Sequence, residues 1–144
     1  MGAMSCRGKI QGTKIFYYTG GKQITIGSNL PGYVQLPGMA EDLLVGSDDM
    51  LRLAVDSDLI RRIKKQEGAI EVIFPSPTEF RISHFDKIVR PDRLLIPLSG
   101  EFVGTGENPP AVIFLGYPDY SSGPYTNYKG ISELKLIINN LEFK

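Results

Sequence analysis

The chain has 144 residues, 42% of them apolar, with 16 acidic and 16 basic side chains and a single histidine. That length and composition support one domain burying about two thirds of its unfolded surface, and zero net charge disfavours nonspecific binding to duplex nucleic acid, which draws on a broad basic field. No apolar run approaches the roughly 18 residues that a membrane helix needs, and the lone Cys6 excludes an internal disulfide framework and favours an intracellular setting, cytoplasmic or nuclear.

Met1–Ser5 reads as a cloning remnant, and residues 6–144 as one globular domain belonging to a longer protein. Residues 8–19 and 22–27 predict two strands reversed at Gly20-Gly21, because paired glycines accept the positive φ angles of a two-residue hairpin turn. That turn pairs Thr19 with Lys22, Tyr18 with Gln23, Tyr17 with Ile24, Phe16 with Thr25 and Ile15 with Ile26. Alternation then gathers Ile15, Tyr17, Ile24 and Ile26 on a core face and leaves Phe16, Tyr18, Gln23 and Thr25 on a mixed face. The mixed face is the one on which Phe16 and Tyr18 are expected to be available.

In 28–39, Leu-Pro-Gly occurs twice, at 30–32 and 36–38, and predicts two turns around a short extended piece, Tyr33-Val34-Gln35. Leu43-Leu44-Val45 and residues 51–55 read as short strands. Residues 56–68, "DSDLIRRIKKQEG", carry the clearest helix, near 57–67. Asp56 or Ser57 caps it, Asp58 complements its dipole, Leu59, Ile60 and Ile63 form its apolar stripe, and Gly68 offers a left-handed stop. Strands follow at about 69–74, 79–85, 93–98 and 111–115, separated by Pro- and Gly-rich turns. Residues 131–141 fit either period, and their β-branched content favours a strand. The expected fold is α+β and mainly antiparallel β, a sandwich or partly open barrel with one short packed helix.

No catalytic constellation emerges, so an enzyme is not expected. On a strand, Ser83 and His84 of "RISHFD" point to opposite faces, a poor geometry for a triad with Asp86. One His and one Cys exclude the usual zinc sets, and the acidic stretch from Glu41 to Asp58 lacks EF-hand spacing, so it reads as solvated turns and helix caps. No metal or cofactor is implied, and "GTGEN" lacks the lysine and helix of a phosphate-binding loop.

The sequence "YYTGG" resembles the active-site loop of retroviral-type aspartic proteases, with Tyr18 standing where the catalytic aspartate belongs. "GKIQG…YYTG" resembles the opening of HIRAN domains, which bind single-stranded DNA ends, although the Arg-x-Pro-x-Asn…Asp core of that family does not follow. Tyr-rich recognition is the stronger reading. In "GYPDYSSGPYTNYKG", 116–130, Tyr117, Tyr120, Tyr125 and Tyr128 sit among Ser, Gly, Pro and Asn, the mixture that gives antibody loops large contact area at low entropic cost. The expected function is therefore non-catalytic recognition of a protein partner through this stretch, read as a loop, and through Phe16 and Tyr18. The rival is a single-stranded nucleic-acid or nucleotide site. In that reading Phe16, Tyr18 and Tyr33 stack on bases while Arg61, Arg62, Lys64 and Lys65 contact phosphates. An aromatic clamp of that type resembles the cap-binding domains of segmented negative-strand RNA virus polymerases.

Overall fold

A computed structural model describes residues 12–30, 32–51, 54–66, 68–103, 108–117 and 119–140. Cys6, the expected remnant at 1–5, the start of the first predicted strand, and Arg52 and Leu53 lie outside these residues. Gly20 and Gly21 take φ of 56° and 80°. They reverse strand β1 (Lys14–Thr19) into β2 (Lys22–Thr25) in the predicted register, from Thr19↔Lys22 to Phe16↔Thr25.

Five further strands complete one sheet: β3 (Asp49–Met50), β4 (Ala69–Ile73), β7 (Arg93–Pro97), β8 (Ala111–Gly116) and β9 (Tyr120–Asn127). The order is β2-β1-β4-β7-β8-β9-β3, every pairing is antiparallel, and the sheet is open, with β2 and β3 at its edges. A separate hairpin joins β5 (Phe80–Ile82) to β6 (Lys87–Val89). The α+β, mainly antiparallel architecture read from the sequence is the one observed.

Helix α2 (Ser57–Gln66) follows its sequence signals, with the Asp56 carboxylate accepting from the Leu59 N–H at 2.8 Å. Gly68 does not supply a left-handed stop. Its N–H donates to Ser99 Oγ at 2.8 Å instead.

Two further helices replace predicted turns and strands. Helix α1 (Gly32–Val45) runs through the second Leu-Pro-Gly, carrying Pro37 inside it. Proline there removes one intrahelical bond. Leu36, Ala40, Leu43 and Leu44 recur at helical spacing and are all buried, and their burial outweighs the local turn propensity. Tyr33-Val34-Gln35 and Leu43-Leu44-Val45 are therefore helical, not extended. Helix α3 (Ser132–Asn140) occupies the stretch read as a strand. A strand would bury Leu134, Leu136 and Ile138 together, whereas Ile131, Leu134 and Ile138 are buried and Leu136 is 60% exposed.

The layers follow from strand alternation. Ile15, Ile70, Val72, Leu94, Ile96, Ile113 and Leu115 face α1 and α3 in the larger core. Tyr18, Ala69, Leu95, Val112, Phe114 and Tyr120 face the other way and pack with Leu59, Ile60 and Ile63 of α2. Phe102 closes that core edge-on against Phe114, with ring centroids 5.3 Å apart.

The turn into α3 depends on Gly130, whose φ is +91° and whose added Cβ would lie 2.0 Å from Asn108 Oδ1. Asn108 Oδ1 accepts from Ser132 N–H at 3.0 Å and Oγ at 2.7 Å, and its amide donates to the Lys129 carbonyl at 2.8 Å. Gly130→Ala is expected to lower the unfolding free energy by about 2 kcal/mol or more through left-handed strain and this clash. A urea midpoint unchanged by the substitution contradicts that role.

Candidate functional site

Glu71 lies at the centre of β4 between Ile70 and Val72, and it is 1% exposed. An ionised carboxylate in such a place needs charge and hydrogen bonds to replace water. Three elements supply them. Tyr18 of β1 donates its hydroxyl to Oε1 at 2.7 Å, and Tyr120 of β9 donates to Oε2 at 2.8 Å. Lys64 of α2 brings Nζ to 3.0 Å from Oε2. The same ammonium sits 5.2 Å from the Tyr18 ring centroid and 5.8 Å from that of Tyr120, so both rings share its charge.

Tyr120 reaches Glu71 because Gly116, its ladder partner, has no side chain. A Cβ at Gly116 would meet Tyr120 Cδ1 at 3.1 Å and Arg93 Cγ at 3.0 Å. Burial first, then the Glu71 carboxylate, pushes the Tyr18 hydroxyl far above the usual tyrosine range. The same two causes act on Tyr120, again with burial the larger. Both rings therefore keep their protons at neutral pH and act as donors. With every partner satisfied and Glu71 shut off from solvent, the cluster ties α2, β1, β4 and β9 together.

This arrangement corrects part of the sequence reading. Tyr18 is 7% exposed and buried beneath α2, not available on an open face, and Phe16 is half-buried against the same core. Tyr33 packs on the opposite side of the sheet, its hydroxyl donating to the Thr13 carbonyl at 2.8 Å, so Phe16, Tyr18 and Tyr33 share no groove. The expected loop at 116–130 is largely strand β9, which buries Tyr120 and Tyr125 (7% and 2% exposed) and leaves Tyr117 and Tyr128 outside. Those two stand at opposite ends of the strand, about 25 Å apart at the usual rise per residue. Of the expected phosphate contacts, Lys64 faces Glu71, Arg61 faces Asp58 at 2.9 Å, and Arg62 faces Glu101 at 2.6 Å, while Lys65 is exposed.

Sequence reasoning missed Glu71. Its signal was present: a single carboxylate in the apolar run "AIEVI", in a strand whose other residues read as core.

A second cluster gathers at the β3 edge. The Asp48 carboxylate accepts from the Tyr128 N–H at 2.8 Å, and the Tyr128 hydroxyl donates to Asp49 Oδ2 at 3.0 Å. The Met50 N–H bonded to its carboxylate, and next the Tyr128 hydroxyl, hold the Asp49 carboxyl below its usual range, with a smaller contribution from His84. His84 lies in the turn between β5 and β6, not on a strand, and its ring stands edge-on to Phe85 at 5.3 Å. Phe85 in turn packs on Tyr125 at 5.9 Å, and Tyr125 is the ladder partner of Met50. Met50, Leu51, Phe85 and Tyr128 are 40%, 39%, 39% and 59% exposed. Strand alternation sends Met50 and Leu51 to opposite faces, so apolar groups wrap the sheet edge.

Among the described residues no group of three or more His, Cys, Asp or Glu side chains is placed to hold a metal ion, and no helix is long and apolar enough to cross a membrane. Comparison with protein-family models, curated proteins and solved structures gives no significant match.

Lys64→Met removes the counter-charge of a buried carboxylate and is expected to cost about 3 kcal/mol in urea unfolding. Adding Glu71→Leu, Tyr18→Phe and Tyr120→Phe makes the whole cluster apolar and is expected to restore most of that loss. A quadruple variant no more stable than the single one contradicts this origin of the cost. The cluster also sets an alkaline limit. Unfolded tyrosine ionises near pH 10, while folded Tyr18 and Tyr120 keep their protons well above it. The unfolded state therefore loses protons first. The contribution is complete below about pH 10 and falls away as pH rises further. Urea midpoints should drop between about pH 9 and 11, less so with Tyr18→Phe and Tyr120→Phe. Titration of all the tyrosines near pH 10 in the still-folded chain, read by ultraviolet absorbance, contradicts it.

Proposed function

We propose that the chain is a non-catalytic recognition module that binds a protein partner at the β3 edge through Met50, Leu51, Phe85 and Tyr128. One observation carries this reading: partly exposed apolar side chains gather at one sheet edge, where Phe85 packs on Tyr125, the ladder partner of Met50, and Tyr128 is held by hydrogen bonds to Asp48 and Asp49. Aromatic anchors held in place lose little freedom on binding, and such residues dominate interface energetics. His84 and Asp49 supply polar groups at the rim.

The reading keeps the expectation of tyrosine-based recognition and moves its centre. Tyr128 remains a contact residue. Tyr125 becomes the support beneath the surface, and Tyr120 belongs to the Glu71 cluster. A stacking site for single-stranded nucleic acid or a nucleotide is the less favoured class, because Tyr18 is buried and three of the four cations assigned to phosphate contacts already face carboxylates.

Phe85→Ala with Tyr128→Ala is expected to change folding stability by less than about 1 kcal/mol. It should weaken the partner complex at least tenfold, measured on the protein cross-linked through a photoreactive residue placed at Tyr128 in cells of the source organism. Affinity should change little between low and high salt. Cross-linking to nucleic acid, with affinity falling steeply as salt rises, contradicts the proposal.

A further inference from the structure

The outer surface of the helical layer carries a second apolar feature, lined by none of the four β3-edge residues. Between α1 and α3 runs an open groove of about 620 Å³, lined by Val34, Gly38 and Met39 from one helix and Leu136 and Ile137 from the other. Val34 is 59% exposed and Leu136 60%, so both leave large apolar area in water. The charged side chains lining this groove are carboxylates, Asp42 of α1 and Glu133 of α3. The same two groups border an adjoining cleft of about 320 Å³ that Lys129 also lines. Lys135 of α3 faces a different cleft, on the Tyr17 side. With Gln35 as its other polar lining residue, the groove combines a mainly apolar lining with negative charge.

Gly38 adds an independent observation. It sits inside α1, is exposed, and a Cβ added to it would meet nothing within 4 Å. Glycine inside a helix is less favourable than alanine, and among the described residues no neighbour requires its absence of a side chain. A bare backbone at that point permits a second helix to approach closely.

We propose that the groove receives an amphipathic helix of a partner protein, seating apolar residues on Val34, Gly38, Leu136 and Ile137 and lysine or arginine side chains on Asp42 and Glu133. A helix fits better than a strand. The walls are helices, whose backbone groups are paired along their own axes apart from the one bond that Pro37 removes, so an extended segment would find no ladder to join. A second copy of this chain docked groove to groove would bring carboxylates toward carboxylates, which the charge pattern opposes.

The test uses two synthetic 15-residue amphipathic peptides with the same leucine face, one with lysine and one with glutamate on the polar face. Each is titrated into the isotope-labelled protein and followed by amide chemical shifts. The lysine peptide should shift residues 34–42 and 133–137 and bind at least tenfold more tightly than the glutamate peptide. Val34→Ser with Leu136→Ser should weaken it at least tenfold, and Asp42→Asn with Glu133→Gln should remove the preference between peptides. Gly38→Ala should raise the melting temperature yet weaken lysine-peptide binding. Equal binding of both peptides, shifts centred on the β3 edge, no binding, or concentration-dependent self-association through these residues would each overturn the proposal. Only shifts centred on the β3 edge bear on recognition there, and they would favour it; the other outcomes leave that reading to the Tyr128 and Phe85 variants.

Discussion

One carboxylate constrains this fold more than any other group. Glu71 stands in the middle of a buried strand, where an unpaired negative charge would be untenable. Its partners come from well-separated parts of the chain: Tyr18 near the start, Lys64 from the helix just before β4, and Tyr120 from the last strand. The carboxylate is satisfied only when the hairpin, α2 and the β8–β9 reversal have all reached their places. A shift of α2 by one turn would keep apolar contact with the sheet but withdraw Lys64 from Glu71. The charge thereby selects one seat for a ten-residue helix that is too short to be stable alone.

The consequences extend to the surface. With Tyr18 and Tyr120 committed to Glu71, the aromatic hairpin face becomes interior, and α2 turns its remaining charges to solvent, where Arg61 and Arg62 meet Asp58 and Glu101. Exposed apolar area then concentrates elsewhere. It lies at the β3 edge around Phe85 and Tyr128, and along the α1–α3 groove around Val34 and Leu136. The two surfaces differ in chemistry. The first is aromatic with a mixed polar rim, and the second is aliphatic with acidic sides.

Much of this was legible in the residues. The Gly-Gly turn gave the hairpin register, because positive φ at both positions leaves one pairing that puts Ile15 and Ile26 inside. Asp56 capped α2 where its sequence placed it. What failed was the weighing of local against tertiary preference. Leu-Pro-Gly at 36–38 speaks for a turn, yet the Leu36, Ala40, Leu43 and Leu44 stripe was present and prevailed once buried. In 116–130, Ser, Gly and Pro suggested a loop, and Tyr120 and Tyr125, five residues apart, show no period-two pattern; the strand forms beside β8 with register irregularities, and the two rings enter opposite cores. Glu71 was overlooked because a single charge in an apolar strand carries no spacing pattern. Its meaning lies in partners that only the fold assembles.

Native-state hydrogen exchange offers the most direct examination of this account. In the unmodified protein, amides of Ile60–Lys64 should open only at a free energy close to that of global unfolding. With Lys64→Met, those amides should exchange by a new, low-energy local opening, while amides of β7 and β8 follow the global stability alone. If α2 and the sheet centre lose protection in parallel, or α2 keeps its protection entirely, the ion pair with Glu71 is not what seats the helix.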